Sequence, residues 1–235
     1  IEDDAKPKVT LDTSMEENRL DRDAIRAMRR SYGEAGLPDS ALTADPIELF
    51  HSWLTEAAAN EFIVEANGMV LGTIGTAGPS TRSVLLKDVT PEGFTFFTNY
   101  GSRKSQAIAH DPRVTLLFPW YAMERQVSIM GIAEKVSAEN SDAYFSSRPW
   151  GSQIGAWASA QSSELSSRAE LEKSFADFQK RWPEGEIIPM PDHWGGYLVI
   201  PKSIEFWQGR YSRLHDRIRY VRDDNNNWQI KRLNP

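Results

Sequence analysis

The sequence predicts a mainly β chain with helices, of the α+β class, in which short strands build an antiparallel sheet or barrel and the helices pack on its outside. Three observations predict it. Residues 68–136 read as β-branched and aromatic runs divided by turn residues, the same pattern returns after residue 194, and the segments before and between change to helical spacing. No internal repeat is present.

Residues 1–20 are polar and aperiodic and are assigned to a flexible N-terminal segment, with 21–235 as a single domain. Glu17 to Tyr32 spaces Leu20, Ile25 and Met28 as one helix face that ends at Gly33. A second helix is better signalled: Asp45 caps it, Pro46 takes the first helical position, and Ile47, Phe50, Leu54 and Ala57 follow at helical spacing. "GMVLGTIGTAGPSTRSVLLKDV" then reads as two strands around a Gly-Pro turn, and "GFTFFTN", "RVTLLFPW" and "RQVSIMGIAEKV" continue as strands. Helical patterns return at Ser137 to Ser147 and again from Ser167. There "SRAE" is a capping box and Leu171, Phe175, Phe178 and Trp182 make the buried stripe. "GGYLVIP", "SIEFWQG", "RLHDRIRYVR" and "NWQIKRL" complete the chain as four strands, with "DDNNN" as a hairpin turn.

The 235 residues, 40% of them hydrophobic, suffice for a sizeable core. A net charge of −6 argues against a nucleic-acid partner, which would need a broad basic footprint. The absence of cysteine removes disulfides, thiolate metal sites and a cysteine nucleophile, and fits a cytoplasmic location. No apolar run approaches the ~20 residues of a membrane span, so no membrane partner is expected. His51, His110, His193 and His215 lack metal-ligand spacing, and no metal is expected.

Local basic clusters in an acidic chain need a local anion. The densest is "EFWQGRYSRLHDRIRY", from Glu205 to Tyr220. If Arg213 to Arg222 is a strand, Arg213, His215, Arg217 and Arg219 share one face. That face is either a solvated surface partly neutralised by Asp216 or Glu205, or a site for a planar anion with Trp207 beside it. In "TRSVLLKD", Arg82 and Lys87 sit an odd number of positions apart and face opposite ways, which suits two different ligands or two strand-end charges. In "TNYGSRKSQAIAHDP", Ser102 is a plausible helix cap and Arg103 and Lys104 fall in the first turn, against the helix dipole. A phosphate there would reverse the penalty; a solvated loop is the alternative. Tyr144, Arg148 and Ser152 are each four apart, the chemistry of a phosphomonoester cradle, although Pro149 predicts a break between them.

Taken in order, "RSVLLKD", "FFTNYGSRK", "LLFPW", "ERQV", "YFSSRP", "SQIGAW", "QSS", "WGGY", "EFWQG" and "RLHDR" resemble the motifs of the pyridoxine (pyridoxamine) 5′-phosphate oxidase family. The resemblance runs from about Met28 to the terminal "RLNP". It implies an FMN-binding split β-barrel acting as a homodimer, with FMN across the subunit interface. It assigns FMN to Arg82, Ser83, Val84, Leu85, Leu86 and Lys87, to Phe97 and Thr98, to Arg103 and Lys104, and to Gln126, Gln161, Ser162, Trp207 and Arg217. The substrate phosphate falls to Lys87, Tyr144, Arg148 and Ser152, and the pyridine ring to Arg213, Leu214 and His215, of which Arg213 and His215 are the catalytic candidates. Arg29, Arg30, Ser31 and Tyr32 would close over the site. The implied reaction takes a hydride from C4′ of pyridoxine or pyridoxamine 5′-phosphate to flavin N5, gives pyridoxal 5′-phosphate, and uses oxygen to form hydrogen peroxide. A split-barrel flavoprotein with another donor, or a carrier without turnover, are the competing readings.

Overall fold

The computed structural model describes residues 22–235. The described chain begins with α1 (Arg22–Ala27) and α2 (Pro46–Ala59), then runs through β1 (Gly68–Gly75), β2 (Gly78–Leu85), β3 (Asp88–Thr90) and β4 (Gly93–Asn99). Helix α3 (Arg103–His110) leads into β5 (Arg113–Trp120) and β6 (Arg125–Lys135). Three helices follow, α4 (Ala138–Ser147), α5 (Trp150–Ala158) and α6 (Arg168–Arg181). Strands β7 (Trp194–Gln208), β8 (Asp216–Arg222) and β9 (Trp228–Leu233) close the chain.

All pairings are antiparallel, in the order β2-β1-β5-β6-β7-β4-β3, with β8 and β9 branching from β7. Among the described residues no pairing closes the path into a full barrel. The split originates in β7. Tyr197 to Gln208 pair with β6, whereas its other edge is shared: Trp194 to Val199 pair with β4, and Ser203 to Gln208 pair with β8. Between the halves the register with β6 shifts, Pro201 lying opposite Gly131 and Ser203 opposite Met130, so Lys202 is the extra residue of a bulge. The bulge inverts the alternation. Tyr197 and Val199 face the core before it, Ile204 and Phe206 after it, and Glu205 and Trp207 are thereby turned outward.

Helix α2 forms where expected, with the Asp45 carboxylate accepting the Ile47 N–H at 2.9 Å and Pro46 in the first turn. It buries Ile47, Phe50, Trp53 and Ala57 on the sheet, Phe50 lying 4.9 Å from Phe94 and 5.0 Å from Phe118 between ring centres. Truncating Phe50 to alanine would cost roughly 3–5 kcal/mol. A second, smaller core of Phe145, Ile154, Trp182, Ile188 and Trp194 joins α4, α5 and α6 to the start of β7.

Several expectations are corrected. The first helix spans only Arg22 to Ala27 within the described residues, leaving Ile25 and Met28 exposed; beyond it Arg30 and Tyr32 are drawn into tertiary contacts instead. The assignment of 1–20 lies outside the described residues. The hairpin turn is Thr76-Ala77, with Gly78 opening β2 at φ +104. Pro79 is tolerated because β2 is an edge strand and misses no ladder bond on its free side. "GGYLVIP" and "SIEFWQG" are one strand rather than two, since the bulge absorbs the Pro-Lys interruption. The short β3 and the helix α5 were not anticipated. Only half of the capping box forms: Ser167 accepts the Glu170 N–H, but the Glu170 carboxylate turns to Ser166.

Candidate functional site

A cleft of about 470 Å³ opens between the α4–α5 pair and the sheet edge formed by β2 and β4. The chain break at Pro149 builds one wall. Helix α4 ends at Ser147, Arg148 is extended, and α5 starts at Trp150, so Tyr144, Arg148 and Ser152 leave three successive backbone conformations yet line one cleft. Lys87, just past the end of β2, faces them. These four were expected together, and they are together.

Tyr144 stacks on Phe97 at 4.1 Å, and Phe97 on Trp194 at 5.4 Å, giving the cleft a floor of flat rings. The Arg148 guanidinium lies 4.8 Å from the Trp194 ring centre, and its buried Nη1 has no hydrogen-bond partner. Burial holds the Arg148 pKa below the ordinary guanidinium value, against a smaller opposing effect of Tyr144. Trp194 is a lining residue that the spacing argument did not single out, although "WGGY" stood among the quoted motifs. Asn99, Gly155, Ala156 and Ser159 were also missed, since nothing in their local pattern separates them from ordinary turn and helix residues.

At the other end of the cleft Lys104, in the first turn of α3, donates to Gln161 Oε1 at 2.8 Å and Thr98 Oγ1 at 3.1 Å. Ser102 occupies the N-cap position, but its hydroxyl does not cap the helix and approaches Ser105 Oγ and Lys104 Nζ instead. Arg82 does not line the cleft, and donates to Thr73 Oγ1, Ser80 Oγ and the Leu71 carbonyl; Lys87 lies past the end of β2, where strand alternation no longer relates the two. Burial and then the Arg103 charge lower the Arg82 pKa, and burial and then Arg82 lower that of Lys104. Among the described residues no carboxylate pairs with Arg82, Arg103 or Lys104, so three mutually repelling cations stand ready for an anion. Ser83, Val84 and Leu85 line the cleft, whereas Leu86 is a core residue at 4% exposure. Ser162 is exposed in a left-handed turn and does not line it.

The remaining candidates gather elsewhere. Arg213, Leu214 and His215 are not in a strand, because β8 begins at Asp216. Ser212 and Arg213 both adopt left-handed backbone, φ 53 and φ 61, in a tight 3-10 turn that holds Arg213 and Leu214 in solvent. His215 packs 4.6 Å from Trp207, and Tyr32 meets both rings edge-on at 5.4 and 5.7 Å. The Arg210 N–H donates to His215 Nδ1 at 3.0 Å, so Nδ1 is the unprotonated nitrogen and a neutral His215 carries its proton on Nε2. Burial, then Arg213, lower the His215 pKa. Gln126 lies opposite Trp207 in the β6–β7 ladder.

Arg217 and Arg219 do share a face, and the single Glu205 carboxylate pairs with both, at 2.8 and 2.7 Å. Burial would raise the Glu205 pKa, but the two arginine hydrogen bonds outweigh it and hold it low. Arg30 faces Glu124 at 3.4 Å, while Arg29 and Ser31 are exposed.

Comparisons with known proteins agree with this geometry. Residues 55–181 match the family model described as pyridoxamine 5′-phosphate oxidase, and residues 194–235 match the pyridoxine 5′-phosphate oxidase C-terminal dimerisation region. A pyridoxine/pyridoxamine 5′-phosphate oxidase of Streptomyces avermitilis is 47% identical, the alignment covering 92% of this chain and 99% of that protein. The structure of PhzG from Burkholderia lata, in complex with tetrahydrophenazine-1-carboxylic acid, superimposes with a TM-score of 0.80 at 28% identity, over 86% of this chain and 100% of the other. A pyridoxamine 5′-phosphate oxidase-related, FMN-binding protein of Nostoc punctiforme shares the fold, with a TM-score of 0.66 at 16% identity over 83% and 100% of the two chains.

Proposed function

This chain belongs to the pyridoxamine 5′-phosphate oxidase family, and on that premise we propose that it is an FMN-dependent enzyme oxidising pyridoxine 5′-phosphate and pyridoxamine 5′-phosphate to pyridoxal 5′-phosphate. The observation that carries the reading is the convergence of Lys87, Tyr144, Arg148 and Ser152 in one cleft, with a buried Arg148 Nη1 that has no hydrogen-bond partner and suits an incoming anion. A ligand without phosphate, such as the carboxylic acid in complex with PhzG, has less need of a cradle of four hydrogen-bonding or cationic side chains.

FMN fits the residues present. Its phosphate matches Arg82, Arg103 and Lys104, which have no carboxylate partner among the described residues, beside the α3 N-terminus. Gln161 and Thr98, now bonded to Lys104, offer polar contacts at the same place. The chemistry supplied by bound FMN is acceptance of a hydride from C4′ of the substrate at flavin N5, with reoxidation by oxygen to hydrogen peroxide.

The chain's own residues bind and orient. Lys87, Tyr144, Arg148 and Ser152 hold the substrate phosphate and so set the reach of C4′. Arg213, free of any carboxylate partner among the described residues, would orient the pyridine ring and favour the negative charge that hydride transfer puts on the acceptor beside it. His215 donates a hydrogen bond through Nε2–H, because the Arg210 N–H already occupies Nδ1.

The two groups of side chains sit near opposite ends of β7. Trp194 and Trp207 are thirteen residues apart in the strand, roughly 40 Å of extended chain. A substrate stacked on a flavin is shorter than that contour length, which supports each complete site taking its cradle from one copy and its Arg213–His215 loop from another. A homodimer is the resulting assembly, and the match of residues 194–235 to a dimerisation region supports it.

The test is flavin absorbance of FMN-loaded protein without oxygen, before and after pyridoxine 5′-phosphate. Bleaching that reverses in air, with pyridoxal 5′-phosphate formed, is the expected result. Persistent absorbance in protein that holds FMN would overturn the reading.

A further inference from the structure

Glu124 ends the 3-10 turn Tyr121–Met123 between β5 and β6 in left-handed backbone, φ 55, and its side chain is only 13% exposed. Oε2 accepts the Gly33 N–H at 2.9 Å, across ninety-one residues of sequence, and Oε1 faces the Arg30 guanidinium at 3.4 Å. Its carbonyl oxygen accepts the Gly209 N–H at 2.7 Å, and the Gly33 carbonyl accepts the Tyr211 N–H at 3.1 Å. One residue therefore ties the Arg30–Gly33 segment to the loop that carries Arg213 and His215.

Tyr32 is the side chain caught between them, edge-on to Trp207 and His215. The junction is tight at position 209, where a Cβ would lie 3.0 Å from Tyr32 Cδ1 and 3.1 Å from Glu124 Cβ, so a larger residue would press both neighbours. A carboxylate accepting a backbone N–H is charge-assisted and short, stronger than a neutral contact in the same place. Gly33 itself is exposed, so its N–H finds water when the carboxylate is removed. The consequence of losing Glu124 is disorder of the segment, not an orphaned buried donor and global unfolding.

We propose that Glu124 is a positioning residue for the substrate: acting through Gly33 and Arg30, it fixes Tyr32 against Trp207 and His215 and so holds residues 30–33 beside the pyridine-binding side chains. The inference rests on the oxidase reading for the identity of the substrate, but the latch itself does not. Glu124 touches neither the cleft nor the FMN candidates other than through these neighbours, so its loss acts on substrate retention and leaves the hydride step alone.

The experiment compares FMN-loaded wild type, Glu124→Ala, Glu124→Gln and Arg30→Ala by hydrogen exchange at the Gly33 amide and by steady-state kinetics with pyridoxine 5′-phosphate. In Glu124→Ala, Gly33 exchange is expected to rise about 10-fold or more, and KM roughly 10-fold, with kcat within about 3-fold and FMN content unchanged. Glu124→Gln keeps an acceptor for Gly33 and is expected to recover most of the protection while losing the Arg30 pairing, so it falls between wild type and Arg30→Ala in KM. Unchanged Gly33 exchange in Glu124→Ala overturns the latch. Faster exchange with unchanged KM overturns its role toward substrate. Should Glu124→Ala fail to fold, the Gln and Arg30 variants give the same two readouts, and equal values in both and in wild type overturn the proposal. Wild-type protein that does not turn over pyridoxine 5′-phosphate refutes the oxidase reading, while the exchange measurement still decides the latch.

Discussion

The cleft under α4 and α5 and the Tyr32–Trp207–His215 cluster hang on the same strand, yet they hold their positive charge differently. In the cleft region Arg148 and Lys104 are half-buried and without a carboxylate. On the face beside the cluster, Arg217 and Arg219 are both clamped by Glu205, and only Arg213, on strained backbone, is left without one among the described residues. A buried cation with no counter-ion is a cost the fold sustains for a ligand, whereas a paired one serves the scaffold. Arginine content alone therefore says little: Arg217, expected to hold FMN, is already paired with Glu205, whereas Arg148 and Lys104 await a partner.

That contrast can be broken most severely at Arg213. On the proposed reading, Arg213→Ala lowers kcat roughly 10²–10³-fold, the loss expected for one preorganised electrostatic group, with FMN still bound. Full turnover in a fully loaded variant would put the chemistry on other residues. Arg148→Ala comes next: losing a charged phosphate contact worth about 3 kcal/mol raises KM for pyridoxine 5′-phosphate roughly 10²-fold. Arg219→Ala, with its partner Glu205 still served by Arg217, shifts the same constant less than about 3-fold. Equal effects of the two substitutions would erase the distinction between unpaired and paired arginines.

Mixing the two damaged chains probes the separation along β7. If a site takes its cradle from one copy and Arg213 from the other, co-expressed Arg148→Ala and Arg213→Ala chains form heterodimers with one intact site each, restoring about a quarter of wild-type activity. Activity no higher than that of either variant alone would mean that one chain supplies both groups.

The smallest effect is at His215. Burial and Arg213 favour the neutral ring, so its NMR titration midpoint should fall below the ordinary 6.5 and move back toward it in Arg213→Ala. The sign for stability follows: a histidine whose folded pKa is depressed contributes fully above its unfolded value and loses that contribution as pH falls through the folded one. A midpoint above 6.5 would contradict the local charge balance.

Helix α2 was legible residue by residue, because its cap, its first-turn proline and its apolar period are all local signals. The strands of the central run were legible for the same reason, and so was the break at Pro149 that lets Tyr144, Arg148 and Ser152 converge. The expected arginine strand failed at its first three residues. Nothing local distinguishes Arg213–His215 from the strand that follows, and the left-handed pair Ser212–Arg213 has no glycine to announce it.

By itself the sequence determined the type of the strongly patterned elements, the order of motifs and the residues able to grip phosphate, since period, caps and side-chain chemistry act over a few positions. Tertiary structure alone decided which arginines are neutralised, that Trp194 floors the cleft, that Glu124 reaches Gly33, and that one bulge at Lys202 turns Glu205 and Trp207 outward. Each of these depends on residues brought together across long stretches of chain, and a local pattern carries no record of which distant partner will arrive.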